Sequence, residues 1–155
     1  MSNIQYLVIH CTDTPHDMNV TRKDIERWHI KERGWSRVGY NDMIHLDGTL
    51  ENLITYNQDD NVDRWEVANG ARGYNSIARH LVYVGGLIHD TRTYMQEETM
   101  ATYCKYTILR HPHIRIIGHN QISNKGCPSF DVPIWLKSIG VKDKNILFGL
   151  PKKNS

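Results

Sequence analysis

Short apolar runs alternate with longer amphipathic segments along this chain. The short runs, at residues 4–9, 81–84 and 114–117, are rich in Ile, Leu and Val and end at polar or glycine-containing turns. This pattern is typical of buried strands. A segment at about 94–110 instead repeats its apolar residues at helical spacing, and the stripe includes Cys104. We therefore expect a helix there, with this cysteine in the core.

Capping residues indicate where two further helices begin. Thr21 followed by Asp24 is a weak form of the capping box and predicts a helix over about 22–33. Pro133 predicts the start of a short helix that runs to about Ser138. Helices and strands are thus expected to alternate along the chain.

A β-hairpin is predicted around Asp47-Gly48, which lies between half-apolar runs at 39–46 and 49–55. Residues 56–79 have no sustained periodicity and are predicted to form long surface loops. The alternation of element types predicts an α/β fold in which helices flank a central mixed β-sheet.

The length of 155 residues suits a single domain with one core. We expect that domain at residues 1–140, with 141–155 as a C-terminal extension that packs on the domain or is partly disordered. The formal net charge is only +2, from 19 basic and 17 acidic residues. Because such a chain has no strong positive field, no nucleic-acid partner is expected.

The N-terminal residues lack the basic and apolar regions of a secretory signal, and no apolar run approaches the length of a membrane span. We therefore expect a protein that is cytoplasmic as synthesised and has no membrane partner. The three cysteines are an odd number, which argues against a disulfide framework. Each cysteine is then a core residue, a reactive thiol or a metal ligand.

Metal-binding side chains follow two of the predicted strands. His10 ends the first strand, His119 follows the run at 114–117, and Cys127 comes shortly afterwards. A catalytic zinc ion takes three protein ligands and leaves a fourth position open for water, and this trio could supply them. Nine histidines and three cysteines also produce such a trio by chance, so ordinary loop residues are the alternative. Cys11 would point away from His10 in an extended strand, which places it in the core.

A series of short motifs runs in order from about residue 4 to residue 138. The motifs are His10-Cys11-Thr12, Trp28-His29, Gly34-Trp35, Val38-Gly39-Tyr40, Leu46-Asp47-Gly48-Thr49, Arg72-Gly73-Tyr74-Asn75, Val84-Gly85-Gly86, Gly118-His119 and Lys125-Gly126-Cys127-Pro128-Ser129-Phe130-Asp131. The series resembles the zinc-dependent N-acetylmuramoyl-L-alanine amidases of the phage T7 lysozyme type. That family is related in fold to the peptidoglycan recognition proteins.

The resemblance implies one zinc ion held by His10, His119 and Cys127, with Tyr40 and Lys125 as catalytic side chains. It also implies hydrolysis of the amide between N-acetylmuramic acid and the L-alanine of the peptidoglycan stem peptide. Lys125 lies two residues before Cys127, so in an extended loop its ammonium is on the same side and could stabilise an oxyanion. Tyr40 could orient the attacking water or relay a proton to the leaving amine.

Proteins of this fold also include modules that hold muropeptides without cutting them. A non-catalytic peptidoglycan-binding module is therefore the alternative, although the presence of Cys127 favours an enzyme. As an amidase, the protein is expected to be a monomeric phage or prophage endolysin. It would reach the cell wall after lysis, or through a holin or a secretion system.

Three segments depart from the family pattern: Asn41-Asp42 after the Gly-Tyr pair, residues 68–71, and residues 76–80. The first two are expected to line the substrate groove, so they bear on the details of the substrate. The remaining histidines are expected to be surface or partly buried residues: His16, His29, His45, His80, His89, His111 and His113.

Overall fold

A five-stranded sheet runs through the computed structural model, which describes residues 2–149. The strands of residues 2–149 are β1 (Ser2–Asn3), β2 (Tyr6–Cys11), β3 (Asp42–Ile44), β4 (Leu50–Asn52), β5 (Asn61–Val62), β6 (Ala78–Tyr83) and β7 (Arg115–Gly118). Strands β1 and β5 pair with each other in a separate two-stranded sheet, and the other five form the central sheet. The helices are α1 (Arg22–Glu26), which continues as a π-helix (Arg27–Glu32), α2 (Tyr94–Arg110) and α3 (Val132–Ser138). The predicted α/β fold with a central mixed sheet is confirmed.

The strand order in the sheet is β4-β3-β6-β2-β7. Strand β2 is parallel to β6 and β7, β3 is parallel to β6, and β4 is antiparallel to β3. Ile9 of β2 is paired with Gly118 of β7. Since the two strands run in the same direction, the residues that come next, His10 and His119, lie side by side at the carboxyl edge of the sheet.

The two faces of β2 carry different side chains. Ile9 and Cys11 lie in the core that α2 and α3 cover, where Cys104 of α2 is also buried. The core positions predicted for these two cysteines are therefore confirmed. Val8 and His10 project from the opposite face, because side chains alternate along a strand. His10 is thus separated from the main core by the sheet itself.

Helix α1 begins as predicted but changes its winding. The side chain of Thr21 accepts a hydrogen bond from the Asp24 backbone N–H, and the Asp24 carboxylate accepts one from the Thr21 backbone N–H. From Arg27 onward the segment is a π-helix, whose end is closed by a bond from the backbone N–H of Arg33 to the carbonyl of Trp28. The wider turn of a π-helix shifts the apolar face of this segment by one residue position. The sequence pattern, which assumes α-helical spacing, does not predict this change.

Strand β6 starts earlier than predicted. The apolar run begins at Leu81, but Arg79 and His80 are already part of the strand, and both are buried. The prediction that residues 56–79 form only loops was wrong, because β5 and the start of β6 lie within that range. The Arg79 guanidinium lies over the ring of Tyr56, 3.7 Å from its centroid, and this cation–π contact stabilises the buried charge. The apolar pattern of the sequence does not predict such a contact.

Three histidines were expected to be surface or partly buried residues and are instead fully buried. His29, His80 and His111 have exposed fractions of 3%, 0% and 3%. Each makes a hydrogen bond that offsets the cost of burying a polar ring. Nδ1 of His111, for example, lies 2.8 Å from a carboxylate oxygen of Asp60.

The segment after α3 packs against the domain as far as the structure describes it. Val141 and Ile146 are buried in the main core, and Ile146 forms a bridge to Ile116 of β7. Residues 150–155 of the predicted extension lie outside the described residues, and the division of the chain at residue 140 stays a prediction. Within 2–149, none of the helices combines the length and apolar character needed to cross a bilayer.

Candidate metal centre and active site

His10, His119 and Cys127 come together at the carboxyl edge of the sheet. The pairing of β2 with β7 places the two imidazole rings 4.6 Å apart between centroids. One potential ligand atom from each of the three residues lies within 4.8 Å of the other two. The structure thus brings together the trio that the sequence suggested as a metal site.

Hydrogen bonds hold Cys127 next to β2. The backbone N–H of Cys11 donates to the Cys127 sulfur over 3.0 Å. The hydroxyl of Tyr83, on β6, donates to the carbonyl of Pro128 over 2.7 Å. These two bonds tie the loop to both neighbouring strands, so the thiol is presented by a loop that the sheet anchors.

The donor atoms suit a borderline-soft metal ion such as zinc. Burial lowers the pKa of His10, and burial together with the charge of Lys125 lowers that of His119 to about 4. Both rings are therefore neutral near pH 7 and can offer a lone pair. The Cys11 side chain and burial raise the pKa of the Cys127 thiol, so this thiol would release its proton when a metal binds. Imidazole nitrogen and thiolate sulfur are both ligands that zinc takes in proteins.

Tyr40 lies beside His10 and belongs to the segment that leads into β3. The first residue of β3 is Asp42, so Tyr40 lies outside the strand itself. The ring centroid of Tyr40 lies 5.2 Å from that of His10. Burial, and then the nearby Cys127, raise the pKa of Tyr40, so its hydroxyl stays protonated and can donate a hydrogen bond.

Lys125 stands at the exposed rim of the same site. It lies on the loop between His119 and Cys127, and its backbone N–H donates to the hydroxyl of Ser123 over 3.2 Å. Its ammonium lowers the pKa of both His119 and His10, which places positive charge close to the trio. The side chain is free to meet a bound ligand from the solvent side.

A cavity of about 610 Å³ opens over these residues. A second cavity of about 520 Å³ shares Trp35, Gly70, His119 and Lys125 with it, so the two form one groove. The first cavity is lined by His10, Cys11, Thr12, Asp13, His29, Arg33, Trp35, Gly39, Tyr40, Gly70, Leu87, Ile88, His119, Lys125, Gly126, Cys127 and Ser129. A groove of this kind can hold an extended polar ligand across the trio.

Similarity to known proteins identifies the family. Residues 1–130 match the N-acetylmuramoyl-L-alanine amidase family. This chain belongs to that family. The endolysin of Enterobacteria phage K11 is 32% identical to the amidase over 135 residues, covering 84% of this chain and 83% of that protein. The endolysin of Escherichia phage T7 is 29% identical over 134 residues, covering 83% of each.

Solved structures share the fold of the amidase. Drosophila peptidoglycan recognition protein SA superposes with a TM-score of 0.76 at 14% identity, covering 99% of this chain and 87% of that one. The amidase LysC of Clostridium intestinale gives a TM-score of 0.72 at 24% identity, covering 91% and 88%. The expected relation in fold between this amidase and both groups is confirmed.

Sequence reasoning missed one residue of the site. Nδ1 of His80 lies 2.8 Å from Nε2 of His10, behind the proposed ligand. Side-chain alternation along a strand would place His80 on the same face of β6 as Val82, which is paired with His10. This inference requires β6 to begin before Leu81, and the apolar run does not indicate that start.

Three buried or partly buried histidines predict that the metal-free amidase loses stability in mild acid. Burial lowers the pKa of His29, His80 and His119 to about 4, 3 and 4, below the value of about 6.5 in an unfolded chain. Below about pH 6.5 the unfolded state therefore binds more protons. Each such histidine reduces the free energy of unfolding by up to about 1.4 kcal/mol per pH unit until its folded pKa is reached.

Urea unfolding of chelator-treated protein between about pH 7.5 and 5 measures the slope of the free energy of unfolding against pH. Replacing His29 with asparagine, which keeps an acceptor for the Gly39 backbone N–H, should reduce the slope. The same change at the exposed His16 should leave it unaltered. A free energy of unfolding that stays constant across this range would contradict the prediction.

Proposed function

We propose that this amidase binds one zinc ion through His10, His119 and Cys127 and uses it to cleave the amide between N-acetylmuramic acid and the L-alanine of the stem peptide. The observation that carries the proposal is the approach of the three donor atoms to within 4.8 Å of one another. They lie in the lining of a groove made of two adjoining cavities of about 610 and 520 Å³.

The reaction adds water across the C–N bond, so that the lactyl carbon gains a hydroxyl and the alanine nitrogen gains a proton. When bound, zinc would supply a water molecule of lowered pKa and polarise the amide carbonyl. Lys125 is assigned to stabilise the negative charge that develops on the carbonyl oxygen, because its ammonium lies at the rim of the site. Tyr40 is assigned to orient the attacking water or to relay a proton to the leaving amine, because its hydroxyl stays protonated next to His10.

The substrate and setting are proposed from the relatives. The K11 and T7 proteins are endolysins, and this supports a phage or prophage endolysin that meets peptidoglycan at lysis or after release through a holin or secretion system. We propose a monomer that acts alone on the wall. Neither nucleic acid nor membrane has a role in this proposal.

Release of peptide from purified sacculi tests the reaction and its metal dependence together. Wild-type protein should release peptides with a free L-alanine amino group and leave glycan strands with lactyl carboxylates, both identified by mass spectrometry. Removal of metal with a chelator should stop the release, and added zinc should restore it. Cleavage at another bond, or undiminished release without metal, would contradict the proposal, and sedimentation with sacculi without release would indicate a binding module.

A further inference from the structure

A second buried histidine stands directly behind His10. His80 has no exposed surface, and His10 is only 1% exposed. The two rings approach through nitrogen atoms, with Nε2 of His10 2.8 Å from Nδ1 of His80. The distance is that of a hydrogen bond, and the tautomers decide which nitrogen donates.

The sheet fixes His80 in this position. His10 is paired with Val82 in the β2–β6 register, and Val8 is paired with His80. His80 therefore projects from the same face of the sheet as His10, one diagonal step away. Its backbone is held on the other side by Asn41, whose side-chain oxygen accepts from the His80 N–H and whose own N–H donates to the His80 carbonyl.

Residue 70 is a glycine that leaves room for the His80 ring. A Cβ atom at Gly70 would lie 2.5 Å from Nδ1 of His80 and 2.3 Å from the carbonyl oxygen of Gly39. Both distances are far below a van der Waals contact, so any side chain here would displace the imidazole or the backbone. The space behind His10 is thus filled by one specific ring in one position.

The contact decides which nitrogen of His10 can bind a metal. With Nε2 directed at His80, Nδ1 is the nitrogen left for an ion shared with His119 and Cys127. Nδ1 offers a lone pair only if the ring proton is on Nε2, and that proton can then be donated to Nδ1 of His80. Nε2 of His80 is buried and has no hydrogen-bond partner within the described part of the chain. No hydrogen bond at that nitrogen fixes the tautomer of His80, so the tautomer is set by the contact with His10.

We propose that His80 is a positioning residue, which accepts a hydrogen bond from Nε2–H of His10 and so orients Nδ1 of that ring for zinc. The inference rests on the proposed zinc site. Partners of this kind fix the tautomer and orientation of ligating histidines, and their loss typically costs about 10-fold to 100-fold in metal affinity. His80 itself contacts neither the metal position nor the groove in this assignment.

Two amide substitutions of similar size test the proposal, because they place a hydrogen-bond acceptor for His10 at different positions. In His80→Asn the side-chain oxygen can take the place of Nδ1, whereas in His80→Gln the amide extends towards the place of Nε2. We expect His80→Gln to weaken zinc binding by about 10-fold to 100-fold, and His80→Asn to retain most of the affinity. The zinc Kd is measured by competition with a chromophoric chelator, independently of activity. The cobalt-substituted proteins should all keep a thiolate-to-cobalt absorption band, because Cys127 is unchanged.

His111→Gln is the matched control. It makes the same change at a buried histidine that bonds to Asp60, away from the trio, and should leave the zinc Kd unchanged. Equal zinc affinity in wild type, His80→Asn and His80→Gln, or an equal loss in both variants with folding retained, would overturn the proposal. A wild-type protein that binds no zinc would instead refute the proposed metal site, so the two failures can be told apart.

Discussion

Cys127→Ala is expected to remove both the metal and the activity. The sulfur is one of three donors proposed for zinc, and two imidazoles alone form an incomplete site. We expect kcat/KM on peptidoglycan to fall by at least about a thousandfold, equivalent to about 4 kcal/mol of transition-state stabilisation. Metal content by mass spectrometry and peptide release from sacculi should fall together.

The control for this variant is Cys104→Ala. Cys104 is fully buried in α2, so its truncation should lower the melting temperature while zinc and the activity of the folded protein are retained. Cys127 is partly exposed, and its loss should disturb the fold less. Full zinc content and full activity in Cys127→Ala would show that the ligand assignment is wrong.

Lys125→Met is expected to lower kcat by about 100-fold to 1,000-fold with zinc still bound. Methionine keeps much of the length of the lysine side chain and removes only its charge. If the ammonium acts on charge that develops during the reaction, KM for a soluble muropeptide should change much less than kcat. Steady-state kinetics on such a substrate separates the two parameters.

Lys105→Met is a suitable comparison, since Lys105 is an exposed residue of α2 and is not part of the groove lining. Its kcat should equal that of the wild type. Both variants should unfold at the wild-type urea concentration because both lysines are exposed. A kcat of Lys125→Met within a factor of about two of wild type would leave the amine without a catalytic role.

The meeting of His10 and His119 could be predicted because each follows an apolar strand, and parallel strands end at a common edge. Their approach to Cys127 could be predicted only from the family resemblance, since the seven residues between His119 and Cys127 permit many conformations. The structure brings the trio together and places Tyr40 and Lys125 in the lining of the same groove. Their catalytic roles stay predictions until the variants are measured.

The parts that could not be predicted depend on polar residues in buried positions. Arg79 and His80 follow Ala78 at the start of β6, yet neither is apolar and arginine is rarely buried, so the apolar run predicted a start that was too late. The place of His80 also depends on Asn41 and Gly70, which lie far from it in the sequence and close to it in space. Such contacts between distant segments leave no periodic signal.

The pairing of Ile9 with Gly118 has a consequence for a chain that is still being made. His10 leaves the ribosome long before β7 and the loop with Cys127, which come much later in the chain. The proposed set of zinc ligands is complete only once β7 has docked against β2. If the proposed site is correct, partly synthesised or truncated chains that lack β7 would hold no catalytic metal and would not hydrolyse peptidoglycan.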